Sequence, residues 1–368
     1  MVDSAGVWRR ASTGPHSPAP PGVAGTAGFG ATRFRGMATI YDVAALAGVS
    51  PATVSRVLNG RTVSPANERL VIDAAQTLNY TPNRVARTLR RQLSEVVALV
   101  IPDIENPFFT SLARGVADTA QEAGYSVVLC NTDGDVAKEE HFLDIALSEN
   151  MAGVVVAPAA SSSVVQPLLD RGRAVVAVDR PVPGADVDSV VIDNIGAGRM
   201  AARALWDAGF RDIACITGPA GIVTAVDRGL GWMQLLDEVA ATPPGPHRLA
   251  HADFRVGGGR ARMTELLELP NPPDAVVAGN NLVGVGALQV LNERGLTAAE
   301  FGIAVIGDLP FSAHPEDEVP VVHLPTRTMG TTAGALLLER IAGHTGPGRR
   351  IVIPGELRTP SPGRAAGR

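Results

Sequence analysis

Arg56 is the side chain of this protein best suited to reading the hydrogen-bonding edge of another molecule. Its guanidinium is a planar fork of donors that stays charged at any ordinary pH. It stands in the run Thr39-Ile-Tyr-Asp-Val-Ala-Ala-Leu-Ala-Gly-Val-Ser-Pro-Ala-Thr-Val-Ser-Arg-Val-Leu-Asn59. Within that run Ile40, Val43, Ala44 and Ala47 recur at helical spacing, and Val54, Val57 and Leu58 do so again. Gly48 ends the first helix, because glycine enters the left-handed conformation at little cost. Ser50 is a good N-cap, with Pro51 at the first helical position. Ala52, Ser55, Arg56 and Asn59 fall off the apolar face. Two short helices joined by a glycine turn can set the second one, opened by Pro51 and Ala52, in the major groove of double-stranded DNA. There Arg56 suits a bidentate bond to guanine. Thr39, Ser50 and Thr53 stand near helix N-termini, where phosphates are held.

The elements around this run follow from the same patterns. Ser64-Pro65 starts a third helix with Val71, Ala74, Ala75 and Leu78 inward, and Asn79-Tyr80-Thr81-Pro82 closes it. Residues 83–94 form a short basic segment. Beyond it, apolar strands (96–101, 126–130, 153–157, 174–178, 213–217, 275–278, 303–306) alternate with helical stretches (109–123, 138–149, 197–208, 229–238, 259–267, 283–294, 329–341). Continuous apolar strands separated by helices imply parallel sheets covered on both faces. The strands are too many for one ordinary sheet. The fold class is therefore α/β: an all-α helix-turn-helix headpiece followed by two doubly wound parallel-sheet lobes. In such lobes ligands sit beyond the carboxyl ends of the strands, and a cleft between lobes is the default site.

The 368-residue chain carries a net charge of −5, unevenly spread. Residues 38–94 hold seven arginines against Asp42, Glu68 and Asp73, a balance of +4, while residues 95–368 sum to −12. A basic module is appended to an acidic body. Cys130 and Cys215 each lie in an apolar strand and read as buried free thiols, with neither a disulfide framework nor metal-ligand spacing. No apolar run reaches the roughly 18 residues needed to span a membrane, and no signal peptide is apparent; a cytoplasmic location without membrane partners is expected. Residues 1–36, rich in Gly, Ala, Pro, Ser and Thr, read as a disordered extension, and Met37 directly precedes the first patterned segment. Residues 359–368 read as a loose tail.

The run from Thr39 to Asn59, continued by Pro82-Asn-Arg-Val-Ala-Arg-Thr-Leu89, resembles the headpiece of the LacI/GalR (lactose-repressor) family. The resemblance divides the chain into a headpiece at 37–82, a hinge helix or linker at 83–94 and a two-lobe effector-binding and dimerisation domain at 95–358, with lobe crossovers near 193 and 323. It implies a homodimer on a pseudopalindromic operator, controlled by a small effector, most often a sugar. It also implies that Asn83–Arg91 folds on operator DNA and that Leu89 wedges into the central base step of the minor groove, an exchange of unstacking for a bent duplex.

The body resembles periplasmic sugar-binding proteins, as the effector domain of that family does. The resemblance marks Phe108 and Phe109, Arg228 in an Arg-x-x-Gly-aromatic pattern, Phe254 after Asp253, and Asn280 as effector contacts. Asp193-Asn194 matches a lobe crossover. Two departures stand out. Asn280-Asn281 replaces the usual Asn-Asp. The family's Gly-Phe-Asp-Asp is shortened to Gly307-Asp308, and Leu324 stands where glutamine is common. Asp308 is left as the candidate acidic contact.

No Gly-x-Ser-x-Gly elbow, phosphate-cradling Gly-x-x-x-x-Gly-Lys or His-Glu-x-x-His is present, and Gly257-Gly258-Gly259 suits a helix start. The reading is a DNA-binding regulator, a repressor by family habit, with no enzymatic activity, cofactor or metal. The alternative is a sugar-binding protein without a regulatory role. If Leu89 is the wedge, Leu89→Ala lowers operator affinity strongly and leaves effector binding intact; unchanged operator affinity in a gel-shift titration would remove that role.

Overall fold

A computed structural model describes residues 38–58, 61–80, 94–239, 245, 247–297, 300–309 and 319–359. The expectations for residues 1–37, Asn59, the segment holding Asn83 and Leu89, and the C-terminal tail from 360 lie outside the described residues. The chain forms two compact units, residues 1–83 and 84–368.

The first unit is three helices: α1 (Ile40–Ala47), α2 (Pro51–Leu58) and α3 (Pro65–Thr77). Val43, Ala44, Ala47, Val54, Val71 and Ala74 are its buried core, with Ile40, Val57, Ala75 and Leu78 packed against it. Every one of these residues belongs to the apolar spacing read above. Gly48 caps α1 at φ 64°, in the left-handed region.

The second unit holds twelve strands among the described residues. The first lobe contains β1 (Val96–Ile101), α4 (Pro107–Glu122), β2 (Ser126–Asn131), α5 (Val136–Ser148), β3 (Gly153–Val156), α6 (Gln166–Asp170), β4 (Ala174–Val178) and β5 (Asp188–Ile192). The second contains α7 (Asn194–Asp207), β6 (Ile213–Thr217), α8 (Val223–Val239), β7 (Leu249–His251), α9 (Val256–Leu267), β8 (Ala275–Ala278), α10 (Asn281–Glu293), β9 (Gly302–Ile306) and β10 (Val321–His323). The chain then returns to the first lobe as α11 (Thr326–Ile341) and β11 (Arg350–Ile353), and ends in the second as β12 (Glu356–Arg358). The two six-stranded sheets run β11-β5-β4-β3-β1-β2 and β12-β10-β9-β8-β6-β7. All neighbours are parallel except β10 with β12. The chain thus passes between lobes three times, near residues 193, 324 and 354; the last passage carries two short strands that the sequence pattern did not reveal.

Helices start earlier than their apolar periodicity suggests. Four of these starts are set by a side-chain cap. Asn106 Oδ1 accepts from Phe108 N (3.0 Å), Asp135 Oδ1 from Ala137 N (2.8 Å), Asp193 Oδ1 from Gly196 N (2.9 Å) and Asn280 Oδ1 from Val283 N (2.8 Å). β10 is confined to Val321–His323, with Pro320 before it and Pro325 soon after, residues that have no amide to donate.

Three helix pairs cross at reciprocal glycines. A Cβ on Gly198 of α7 would lie 2.0 Å from Arg228 O of α8, and one on Gly231 of α8 would lie 2.0 Å from Ile195 O of α7. Gly115 and Gly330 do the same for α4 and α11, and Gly259 and Gly286 for α9 and α10. Backbone contact at these points leaves no room for any side chain.

Asp188 pins the first lobe's late strand in place. Its side chain is wholly buried and accepts from Arg340 Nε (2.8 Å) of α11 and from Arg349 Nη2 (2.9 Å) before β11. Burial alone would raise its pKa, but donation from Arg340 and Arg349 outweighs burial and holds the carboxyl far below the usual carboxylate range. A depressed folded-state pKa adds stability that is present above the unfolded value of about 3.9 and lost as pH falls through the folded one. Asp188→Asn is therefore expected to cost about 3 kcal/mol, near the lower end for a broken buried pair. Urea titrations should show that gap constant at neutral pH and narrowing below about pH 4; a gap independent of acid would show that the charge is not what matters.

Candidate functional site

The headpiece presents its second helix outward. Ser50 Oγ accepts from Thr53 N at 3.2 Å and so caps α2. Val54 turns inward, while Pro51, Ala52 and Arg56 are exposed and Thr53 and Ser55 are partly exposed. Three hydroxyls read as phosphate donors have internal work. Thr39 Oγ1 donates to Asp42 Oδ2 at 2.7 Å, and Asp42 accepts the Thr39 amide at 2.7 Å in a reciprocal capping box. The Ser50 and Thr53 hydroxyls bond each other at 3.0 Å. These residues fix where the helices begin, so the backbone amides of the first turns are set at defined points. Tyr41, 69% exposed on α1, went unread in the sequence.

The body holds a cleft of about 620 Å³ between its two lobes. Phe108, Phe109, Arg228, Phe254, Asn280 and Asp308 all line it, drawn from both lobes. So do residues the sequence reading did not select: Asp103 after β1, Asp133 after β2, Asp179 and Arg180 after β4, and Asn281. The rule that ligands lie beyond strand carboxyl ends could have found each, since each follows an apolar strand within a few residues.

Arg228 is the centre of this wall. It is 5% exposed. Its Nε donates to Asn194 Oδ1 (2.8 Å) and its Nη1 to Gly279 O (2.6 Å). Burial pulls its pKa down to about 10, opposed by the charge of Asp179. Asp179 is itself paired with Arg180, Nη2 to Oδ2 at 3.0 Å. Asn194, which the sequence placed at a crossover, is thus also the seat of the cleft arginine. Phe108 and Phe109, in the first turn of α4, meet edge to face with centroids 4.9 Å apart; Phe109 is buried and Phe108 is half-buried.

Asn280 spends one donor and one acceptor of its amide on the protein. Its Oδ1 caps α10 and its Nδ2 donates to Phe254 O at 2.9 Å. Phe254 sits at φ 63°, a conformation that costs a non-glycine residue about 1–3 kcal/mol and persists where its surroundings impose it. Asp308 accepts from His323 Nδ1 at 2.7 and 2.9 Å, with Arg358 Nη1 3.8 Å away. Asp308, just after β9, thus lies against β10 and β12 while lining the cleft. The lobes also touch across the cleft, where Asn281 Nδ2 donates to Asn106 Oδ1 at 3.3 Å.

Among the described residues no cluster of His, Cys, Asp or Glu could hold a metal ion, and no helix is long and apolar enough to cross a membrane. Cys130 and Cys215 are free and buried, and burial pushes the Cys215 thiol up to about 12.

A helix-turn-helix joined to a two-lobed cleft of this kind defines a ligand-responsive DNA-binding regulator, and comparison with known proteins agrees. Residues 39–83 match the family of bacterial regulatory proteins of the lacI type, and residues 94–360 match the periplasmic binding proteins and sugar-binding domain of the LacI family. The HTH-type transcriptional regulator CelR of Thermobifida fusca is 36% identical over 87% of this chain and 96% of its own length. The ribose operon repressor of Escherichia coli K12 is 33% identical over 86% and 97%. Among solved structures, a CelR–cellobiose complex is similar at 33% identity with a TM-score of 0.66, covering 87% of this chain and 98% of that one. A lac repressor dimer bound to operator and an anti-inducer shares the fold at 23% identity, with a TM-score of 0.77 over 87% and 97%. The chain belongs to the LacI family of transcription regulators. It is a regulator and not an enzyme.

Only a planar fork can serve Asn194 and Gly279 together. Arg228→Lys therefore strands at least one buried acceptor, at a cost of about 1–3 kcal/mol. Urea denaturation of the two proteins measures this. Equal midpoints would show that the arginine is not seated as described.

Proposed function

We propose that this protein is a repressor that binds a pseudopalindromic operator as a homodimer and is controlled by a sugar held in the interlobe cleft. The exposed face of α2 carries the reading: Pro51, Ala52 and Arg56 point away from the headpiece core while Val54 anchors it. One headpiece covers one half-site, so a two-fold symmetric protein reads a two-fold symmetric site. Asn59, Asn83 and Leu89 join the DNA contacts by family resemblance, and the protein acts where the chromosome lies, in the cytoplasm. For the cleft, the names of relatives support a sugar: one solved complex holds cellobiose, and another relative is a ribose operon repressor. The residues proposed to touch the effector are Phe108, Arg228, Phe254 and Asp308, with Phe109 and Asn280 supporting them. Effector and operator then influence each other's binding reciprocally.

Selection of bound duplexes from a random library, at stated salt, tests this. The expected result is an enriched pseudopalindrome. Arg56→Ala should weaken binding about 5- to 150-fold and relax one base position in each half-site. Cellobiose and ribose should be added in turn to look for a shift in operator affinity. Failure to enrich any duplex, with cellobiose or ribose still bound, would favour a sugar-binding protein without a regulatory role.

A further inference from the structure

Two side-chain bonds join the lobes across the cleft, and neither lies on a passage of the chain between them. Asn106 follows β1 in the first lobe and caps α4, while Asn281 opens α10 in the second. Both are buried, 7% and 5% exposed, and Asn281 Nδ2 donates to Asn106 Oδ1 at 3.3 Å. Backbone neighbours fix which way each amide faces. Asn106 Oδ1 also accepts from Phe108 N, so turning that amide over would cost α4 its cap. Asn281 Oδ1 accepts from Leu282 N at 2.9 Å, which leaves Nδ2 to face the other lobe. The bond therefore has a direction: the second lobe must donate and the first must accept. Earlier in the loop that follows β1, Asp103 Oδ1 accepts from Glu105 N at 2.9 Å. Its Oδ2 lies 3.8 Å from Nε of Arg255, which precedes α9 in the second lobe. Arg255 also acts on Asp133 of the first lobe, whose carboxyl is held below the usual carboxylate range by Lys138 first, then by Asn131, with the charge of Arg255 adding to both.

We infer that these two pairs form a latch that holds the lobes together, and that Asn281 is its directing residue. Donor and acceptor in each pair are protein groups, so the closure does not wait on an effector. The inference holds whatever class of molecule the cleft takes. The two pairs contribute unequally. The asparagines are out of water, where a bond left unmade strands a polar group. The Asp103–Arg255 pair is partly exposed, with the Arg255 side chain 52% open to solvent, so salt screens it and it adds little alone. Asn281→Asp would keep the bond from Leu282 N but would turn a second acceptor toward Asn106 Oδ1. Asparagine in place of the aspartate usual at this point thus makes the meeting of the lobes attractive instead of repulsive. The latch sets the balance of open and closed lobes that an effector meets, and with it the free energy that the effector must supply to shift that balance.

The test places one spin label on each lobe of the full-length protein, at Glu105→Cys and Ala261→Cys, exposed positions outside the cleft lining. Cys130 and Cys215 are buried and stay unlabelled. Labelled chain is diluted with unlabelled chain, so that pulsed electron spin resonance reads distances within one protomer, with no sugar or DNA added. The expected result is one dominant short distance in the labelled parent. Asn281→Asp should raise the share of a longer distance at least about fivefold, the worth of one net hydrogen bond. Asn106→Asp keeps both the cap and the acceptor, and should stay as closed as the parent. A directed latch predicts this asymmetry between identical changes at the two ends of one bond, and plain packing does not. An unchanged distance in Asn281→Asp overturns the latch, and equal opening by both variants overturns its direction. If Asn281→Asp fails to fold, Asn281→Ala, which removes the same donor, takes its place. The second pair is tested by charge exchange. Arg255→Asp is expected to open the lobes, and Asp103→Arg added to it to close them again. Lobes that stay open after the exchange overturn the ionic half of the latch.

Discussion

A guanidinium enclosed in a protein interior must be given acceptors, and much of the second lobe is arranged to supply them to Arg228. Its fork reaches Asn194, at the first residue of α7, and Gly279, at the end of β8. It therefore joins a lobe crossover, a helix and a strand end at one point. That point is reachable only because α7 and α8 touch backbone to backbone at Gly198 and Gly231. Gly279 passes the constraint on: its neighbour Asn280 holds Phe254, whose ring rests against Gly218. Charge burial, helix contact and the cleft wall are one connected arrangement.

The first lobe is organised around the opposite charge. Asp188 draws Arg340 and Arg349 together and so fastens α11 and the approach to β11 onto β5, segments that lie about 150 residues later in the chain. Both lobes thus use a buried ion to secure parts that local propensity would not hold. The difference lies in what completes the ion's environment. Asp188 has its counter-charges within the protein, whereas Arg228 is held by neutral oxygens and faces a cavity.

The sequence reveals elements whose residues are uniformly apolar or strictly periodic. The strands Val96–Ile101, Ala174–Val178, Ile213–Thr217 and Ala275–Ala278 are buried on both faces and read directly from composition. β5 escaped because it opens with Asp188 and Ser189, polar residues that are buried through partners far away in sequence. β11 and β12 escaped because they are short sheet edges with alternating exposure. The same distinction holds in the cleft. Phe108, Arg228, Phe254 and Asp308 could be selected by type and position, and all line one cavity. That Asn280's amide holds the Phe254 carbonyl, that Asp308 is held by His323 and that Phe254 adopts a positive φ depend on tertiary partners. No local pattern encodes those.

Three passages of the chain between the lobes bear on how the protein is made. The first lobe's sheet takes five strands from residues 96–192 and its last, β11, from residues 350–353. All of the second lobe except β12 is synthesised in between. A nascent chain can assemble the second lobe's central strands while the first lobe still has an open edge along β5 and no α11 over α4. Contacts spanning so much sequence close slowly, because the loop entropy must be overcome before the contacts form. Until β11 emerges, β5 offers a row of unpaired backbone groups to any other chain. The last thirty or so residues of the folded body therefore act as a closing seam. A ribosome that stalls short of them leaves a protein with one lobe nearly complete and the other exposed to aggregation.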